Sequence, residues 1–146
     1  MNYELVTLAE KILVGVSATT GNSDPNMGNI IGDLWEKLFQ SGISATIKNK
    51  ANPYAIGLYS DYNADSYCVT VGNEVTKAEN PELTTKRIRS GTYAKFSVHG
   101  HIKNAVAEAW NEIWSMDLNR SFTGDFEEYF SNDVENCDIA IYIALT

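Results

Sequence analysis

Hydrophobic and polar positions alternate or recur helically along most of the chain, and that rhythm predicts its elements. Lys11 to Thr20 alternates, with Ile12, Val14, Val16 and Ala18 on one face and Leu13, Gly15, Ser17 and Thr19 on the other. Leu5 to Leu8 is a shorter β-compatible stretch, and the turn residues Thr20 to Pro25 end the first long strand. From Gly28 to Gln40, residues Ile30, Ile31, Leu34, Trp35, Leu38 and Phe39 form one broad apolar stripe. That spacing predicts a helix with Asn26 or Asn29 at its start and Gly42 beyond its end. Asn49 to Pro53 reads as a loop, and Ala55 to Tyr62 and Tyr67 to Val75 as two strands joined by a hairpin turn.

The second part repeats the first. A polar connection, Thr76 to Arg89, contains Pro81 and a short strand near Thr85 to Ile88. A strand at Thr92 to His99 follows, then a helix from about Lys103 to Met116 with the stripe Val106, Ala109, Trp110, Ile113 and Trp114. Strands at about Asp125 to Phe130 and Asp138 to Leu145 close the chain. Trp35-Glu36-Lys37-Leu38-Phe39 lies over Trp110-Asn111-Glu112-Ile113-Trp114, with Ile31 over Val106. These patterns predict an α+β fold of tandem strand-helix-strand-strand modules, with halves at about 1–75 and 90–146 of one domain spanning 1–146. Each sheet has to cover one face with its helix. The helix-free faces are then expected to enclose a ligand cleft on a pseudo-twofold axis.

Alternation also sorts candidate cleft residues. Tyr142 lies opposite Ile141 and Ile143, Tyr93 opposite Ala94 and Phe96, and Tyr59 opposite Ile56 and Leu58. Glu127 and Tyr129 share the face not taken by Phe126 and Phe130. The expected groove therefore gathers Tyr59, Tyr93, Tyr129 and Tyr142 around Glu127, with Gly15 and Ser17 leaving room. Trp114, near a helix end, joins the ligand set, whereas Trp35 and Trp110 read as core. A carboxylate among aromatic rings suits a cation, because each ring face contributes about 0.5–2 kcal/mol. The same group could act as a general base or acid. A slip of one residue in register would put Glu128 in its place.

Composition narrows the function. With 11 basic and 19 acidic residues the net charge is −8, which disfavours direct nucleic-acid binding and attachment to anionic membranes. No apolar run approaches a span of about 18 residues, and no secretory signal opens the chain, so the expected location is cytoplasmic. Cys68 and Cys137 form no metal-binding spacing and read as reduced thiols. His99 and His101 have no supporting ligands in sequence, so no metal is expected, and no phosphate or dinucleotide motif calls for a cofactor.

Several segments carry a family likeness. They are Glu4 to Glu10 leading into Val14-Gly15, Ile31-Gly32-Asp33-Leu34-Trp35, Gly57 to Tyr62, Val69 to Val75 and Gly91 to Phe96. Trp110 to Trp114, Ser121 to Tyr129 and Ile141-Tyr142-Ile143 complete the set. In this order they make the chain resemble the GyrI-like small-molecule-binding family, also seen as the effector-binding domain of bacterial transcription activators. The resemblance implies tandem modules with a central cleft and hydrophobic, aromatic, often cationic ligands met by a glutamate, here Glu127. It implies a binding module for xenobiotic sensing or sequestration, and this chain departs from the activator members in showing no DNA-binding helix-turn-helix. It also implies an alternative, a hydrolase opening cyclopropane-type electrophiles with Glu127 and Tyr93, or an inhibitor of DNA gyrase. A protein partner would then be a transcription factor or a gyrase.

Overall fold

The computed structural model describes residues 1–146. Its elements run β1 (Glu4–Leu8), β2 (Lys11–Thr20), α1 (Met27–Phe39), α2 (Ile43–Thr46), β3 (Lys50–Ser60) and β4 (Tyr67–Val75). They continue with β5 (Thr84–Ile88), β6 (Gly91–Gly100), α3 (Ile102–Ser115), β7 (Asp125–Tyr129) and β8 (Cys137–Ala144). Helix α1 ends in a turn whose Gly42 adopts a left-handed φ of 75°, a conformation glycine takes without a Cβ clash. Helix α3 begins under His101, whose Nδ1 accepts the backbone N–H groups of Lys103 and Asn104. The second histidine is also occupied: His99 Nδ1 lies 2.6 Å from Asp138. Both cysteines are free, Cys68 half-buried and Cys137 buried. No helix is long and apolar enough to cross a membrane.

The sheet differs from the two separate ones anticipated above. All eight strands form one antiparallel sheet in the order β1-β6-β8-β7-β3-β4-β2-β5, coiled into a half-barrel. The β3–β7 ladder joins the halves, pairing Ala55 with Tyr129, Gly57 with Glu127 and Tyr59 with Asp125. Read from either end, the order is that of one four-stranded unit repeated with twofold symmetry. Each edge strand is exchanged: β1 precedes β2 in the chain but pairs with β6, and β5 precedes β6 but pairs with β2. Strand β3 also starts earlier than the loop expected at Asn49 to Pro53. Pro53 is tolerated because the β7 ladder ends at Ala55, so no partner on that side needs its missing N–H.

All three helices lie on one face of the sheet. There α1 and α2 cover Val14, Val69, Val71 and Val75 with Leu34, Leu38 and Ile47, while α3 covers Ala94, Phe96, Ile139, Ile141 and Ile143 with Ala109 and Ile113. The opposite face is buried too, because the coiled sheet folds over itself. Leu13, Ile56, Leu58, Ile88, Tyr93, Phe126 and Tyr142 pack there with no helix above them. Gly15 and Gly72 pair where β2 crosses β4. A Cβ on Gly15 would sit 1.9 Å from the Val71 carbonyl oxygen, and one on Gly72 would sit 2.0 Å from that of Val14. Their missing side chains make room for backbone, not for a ligand as Gly15 was expected to do.

Candidate functional site

Cross-strand pairing sorts the candidate residues onto faces, since directly opposed residues point the same way. Gly57 faces Glu127, and Glu127 faces Ile141, a residue under α3. Glu127, Tyr129 and Tyr59 are therefore on the helix side, in the seam between α1 and α3. Phe126 faces Tyr142, and Tyr93 faces Ala144, on the helix-free side.

Glu127 is 1% exposed. Its Oε2 accepts from Trp110 Nε1 at 2.5 Å and from Tyr59 Oη at 3.1 Å, and its Oε1 accepts from Tyr129 Oη at 2.6 Å. All three donors are neutral. Burial raises the carboxyl above its ordinary value of 4.5, and the three donors pull back only part of that rise. The same burial and the adjacent carboxylate push the Tyr59 and Tyr129 hydroxyls well above 10, so both stay protonated donors.

Aromatic rings build the walls above this floor. Trp110 meets Tyr59 edge-on at 5.6 Å between centroids, and Trp114 leans on Trp110 at 6.0 Å. On the other side Trp35 meets Tyr129 edge-on at 5.2 Å and stacks with Phe39 at 6.0 Å. Tyr67 extends the first wall, 5.7 Å from Tyr59. The outermost rings are open to solvent, Phe39 at 50% and Trp114 at 54%. The arrangement is graded: a dry carboxylate below, half-buried rings around it and two exposed rings outermost.

The sequence reading is therefore corrected at several positions. Tyr93 lies on the opposite face from Glu127, is 2% exposed, and its hydroxyl donates to the Arg89 carbonyl at 2.6 Å. The pair Glu127 and Tyr93 cannot meet one substrate, which removes the geometry of the expected hydrolase. Tyr142 stacks on Phe126 at 4.4 Å inside the half-barrel, and Ser17 shares a hydrogen bond with Thr84 on the same face. Glu128 also points to that face, near the Lys11–Glu74 ion pair, and burial raises its carboxyl. The structure thus puts Glu127, not Glu128, in the aromatic seam, beside Tyr59 and Tyr129, with Trp114 at its outer edge against Trp110. Trp110 and Trp35, read as core, line the seam instead. The overlay of the two Trp-containing helix segments was the signal that could have found both.

A second buried carboxylate closes the end of the seam. Asp125, 0% exposed, accepts from Tyr62 Oη at 2.5 Å, Arg120 Nη2 at 2.6 Å and the Ala144 N–H at 2.9 Å. Unlike Glu127 it has a cationic partner of its own. It ties the approach to β7 onto β8 and holds Arg120 over the Phe122 ring, 4.3 Å from its centroid.

Fold and seam together define a duplicated α+β half-barrel whose helices flank an aromatic seam floored by one acidic side chain. The chain belongs to the GyrI-like small molecule binding domain family, whose model matches residues 1–146, the whole chain. It is 30% identical over 158 residues to YobU of Bacillus subtilis (strain 168), a candidate transcriptional regulator, covering 99% of both chains. Among solved structures it resembles SAV2435 bound to tetraphenylphosphonium, with a TM-score of 0.82 at 21% identity over 100% of this chain and 94% of that one. It also resembles an integron cassette protein of Vibrio cholerae, with a TM-score of 0.81 at 26% identity over 100% of this chain and 97% of that one.

Proposed function

We propose that this chain binds hydrophobic aromatic cations in the seam between α1 and α3, with Glu127 as the charge anchor. The walls are Tyr59, Tyr129, Trp35, Trp110 and Trp114, and the role is sensing or sequestering foreign compounds. One observation carries the reading: Glu127 is a carboxylate shut away from water whose partners are all neutral. A buried anion without a counter-charge is costly, and an incoming cation supplies one. At about 4 Å and an effective dielectric near 20, that attraction is on the order of 4 kcal/mol before desolvation. Rings around the anion favour a cation with aromatic arms over a small ammonium, through stacking and cation–π contact. The fold-level likeness to SAV2435 bound to tetraphenylphosphonium supports the same ligand class.

The carboxylate is closed over by its own donors, so a ligand has to displace at least one. Trp110 reaches the carboxylate from helix α3, whereas both tyrosines reach it from the sheet. The test is titration of tetraphenylphosphonium against the wild type and Glu127→Gln. The substitution is expected to weaken binding at least about tenfold, the equivalent of about 1.4 kcal/mol. Equal affinity in the two proteins removes the anchor assignment.

A further inference from the structure

The site is symmetric in its two tyrosines and two helix tryptophans, and asymmetric in its charge. Hairpin β3–β4 pairs Tyr59 with Val69 and Gly57 with Val71; hairpin β7–β8 pairs Tyr129 with Ile139 and Glu127 with Ile141. The outer ladders match as well, Thr20 with Tyr67 in one half and Gly100 with Cys137 in the other. Tyr59 is thus the counterpart of Tyr129, and Gly57 the counterpart of Glu127. Gly57 and Glu127 are directly paired, so the pseudo-twofold axis passes between them.

The walls obey the same axis. Trp110 against Tyr59, with Trp114 above, mirrors Trp35 against Tyr129, with Phe39 above. Each carboxylate oxygen takes one of the two related tyrosines. One charge therefore sits beside the axis, between two related three-ring walls, the first of them extended by Tyr67.

From this we infer that the cleft selects cations whose charge lies at the centre of two aromatic arms, one arm for each wall. The anchor is also transferable across the axis, from Glu127 to Gly57. The inference rests on the proposed cation-binding reading and specifies its ligand class. A single-armed cation with a terminal charge can fill only one wall while its charge reaches Glu127. The position opposite accepts a side chain if the Trp35 indole gives by a few tenths of an ångström. A Cβ at Gly57 would lie 3.2 Å from the Trp35 ring and 3.4 Å from Glu127 Oε1. The second contact disappears when Glu127 is shortened, and the first is with the tryptophan that corresponds to Trp110.

The probes are two isomers of equal composition, dibenzyldimethylammonium and (4-phenylbenzyl)trimethylammonium. The first has a central charge with an arm on each side, and the second has both rings on one side of a terminal charge. The first is expected to bind the wild type about tenfold more tightly, the scale of one aromatic wall gained. Glu127→Gly is expected to weaken its binding at least about tenfold, and adding Gly57→Glu to recover most of that loss. If both isomers bind equally but still depend on Glu127, the two-armed specificity is overturned while cation binding stands. A folded double variant that recovers nothing overturns the transfer. If neither isomer binds, and tetraphenylphosphonium does not either, both this inference and the proposed function fall. The isomer comparison uses the unaltered chain, so it decides the specificity even if the double variant does not fold.

Discussion

Protonation of Glu127 couples the stability of the empty protein to its ligand. Its carboxyl is raised above 4.5 in the folded state, so the folded chain holds that proton more readily than the unfolded chain does. Stability therefore falls as pH rises through the interval from 4.5 to the raised folded value, and the penalty is absent below it. Glu127→Gln should accordingly melt at or above the wild-type temperature near pH 7, with the difference vanishing toward about pH 4. A thermal melt series across pH checks this, and a variant clearly less stable at neutral pH contradicts it. Cation affinity has the opposite dependence, weakening as pH falls through the same interval, because only the ionised form attracts the ligand. Tyr93 provides the contrasting residue. Tyr93→Phe removes its bond to the Arg89 carbonyl and is expected to cost about 1 kcal/mol of stability while leaving tetraphenylphosphonium affinity unchanged. A loss of affinity in calorimetric titration would return Tyr93 to the site. Asp125→Ala strips Arg120 and Tyr62 of their buried partner, and denaturant unfolding should register a loss of about 3–5 kcal/mol.

Among the elements, strand positions were legible because each is a clean alternation between turn signals. β2 and β4 match the sequence reading, and both long helices differ from it by one residue at each end. Which face of each strand meets a helix was less legible. Alternation says that Phe126 and Glu128 share a side; it cannot say which side carries the helices when the half-barrel buries both. Placing Tyr59, Glu127 and Tyr129 on the helix-free face inverted β3 and β7 and merged Tyr93 and Tyr142 with Glu127. Tyr59, whose faces were sorted correctly relative to Ile56 and Leu58, joined the right cluster for the same relative reason. Trp110 was hidden by its periodicity, since an indole on an apolar stripe reads as core until a buried acceptor is found beside it. Two element-level features can be tested by substitution. Gly72→Ala forces a Cβ into the Val14 carbonyl, so a loss of about 1–3 kcal/mol or failure to fold is expected. His101→Ala removes the acceptor at the start of α3 and should cost about 0.5–2 kcal/mol, with His101→Asn restoring most of it.

At the scale of the molecule, duplication was visible in the helix pairs, but the joining of both halves into one sheet was not. That joining depends on β3 and β7 offering each other free edges, a long-range pairing that local patterns do not encode. The reciprocal loan of leading strands has a mechanical consequence. Neither half owns all the strands of its own sheet, so the two cannot swing apart on the Thr76 to Leu83 connection as jaws on a hinge. A ligand of the proposed site would have to enter between the helices over an unbroken sheet. It also follows that the peptide link between the halves is dispensable for holding them together. A chain nicked at the exposed Ala78 should still elute as one species, each fragment clasping the other by a borrowed strand.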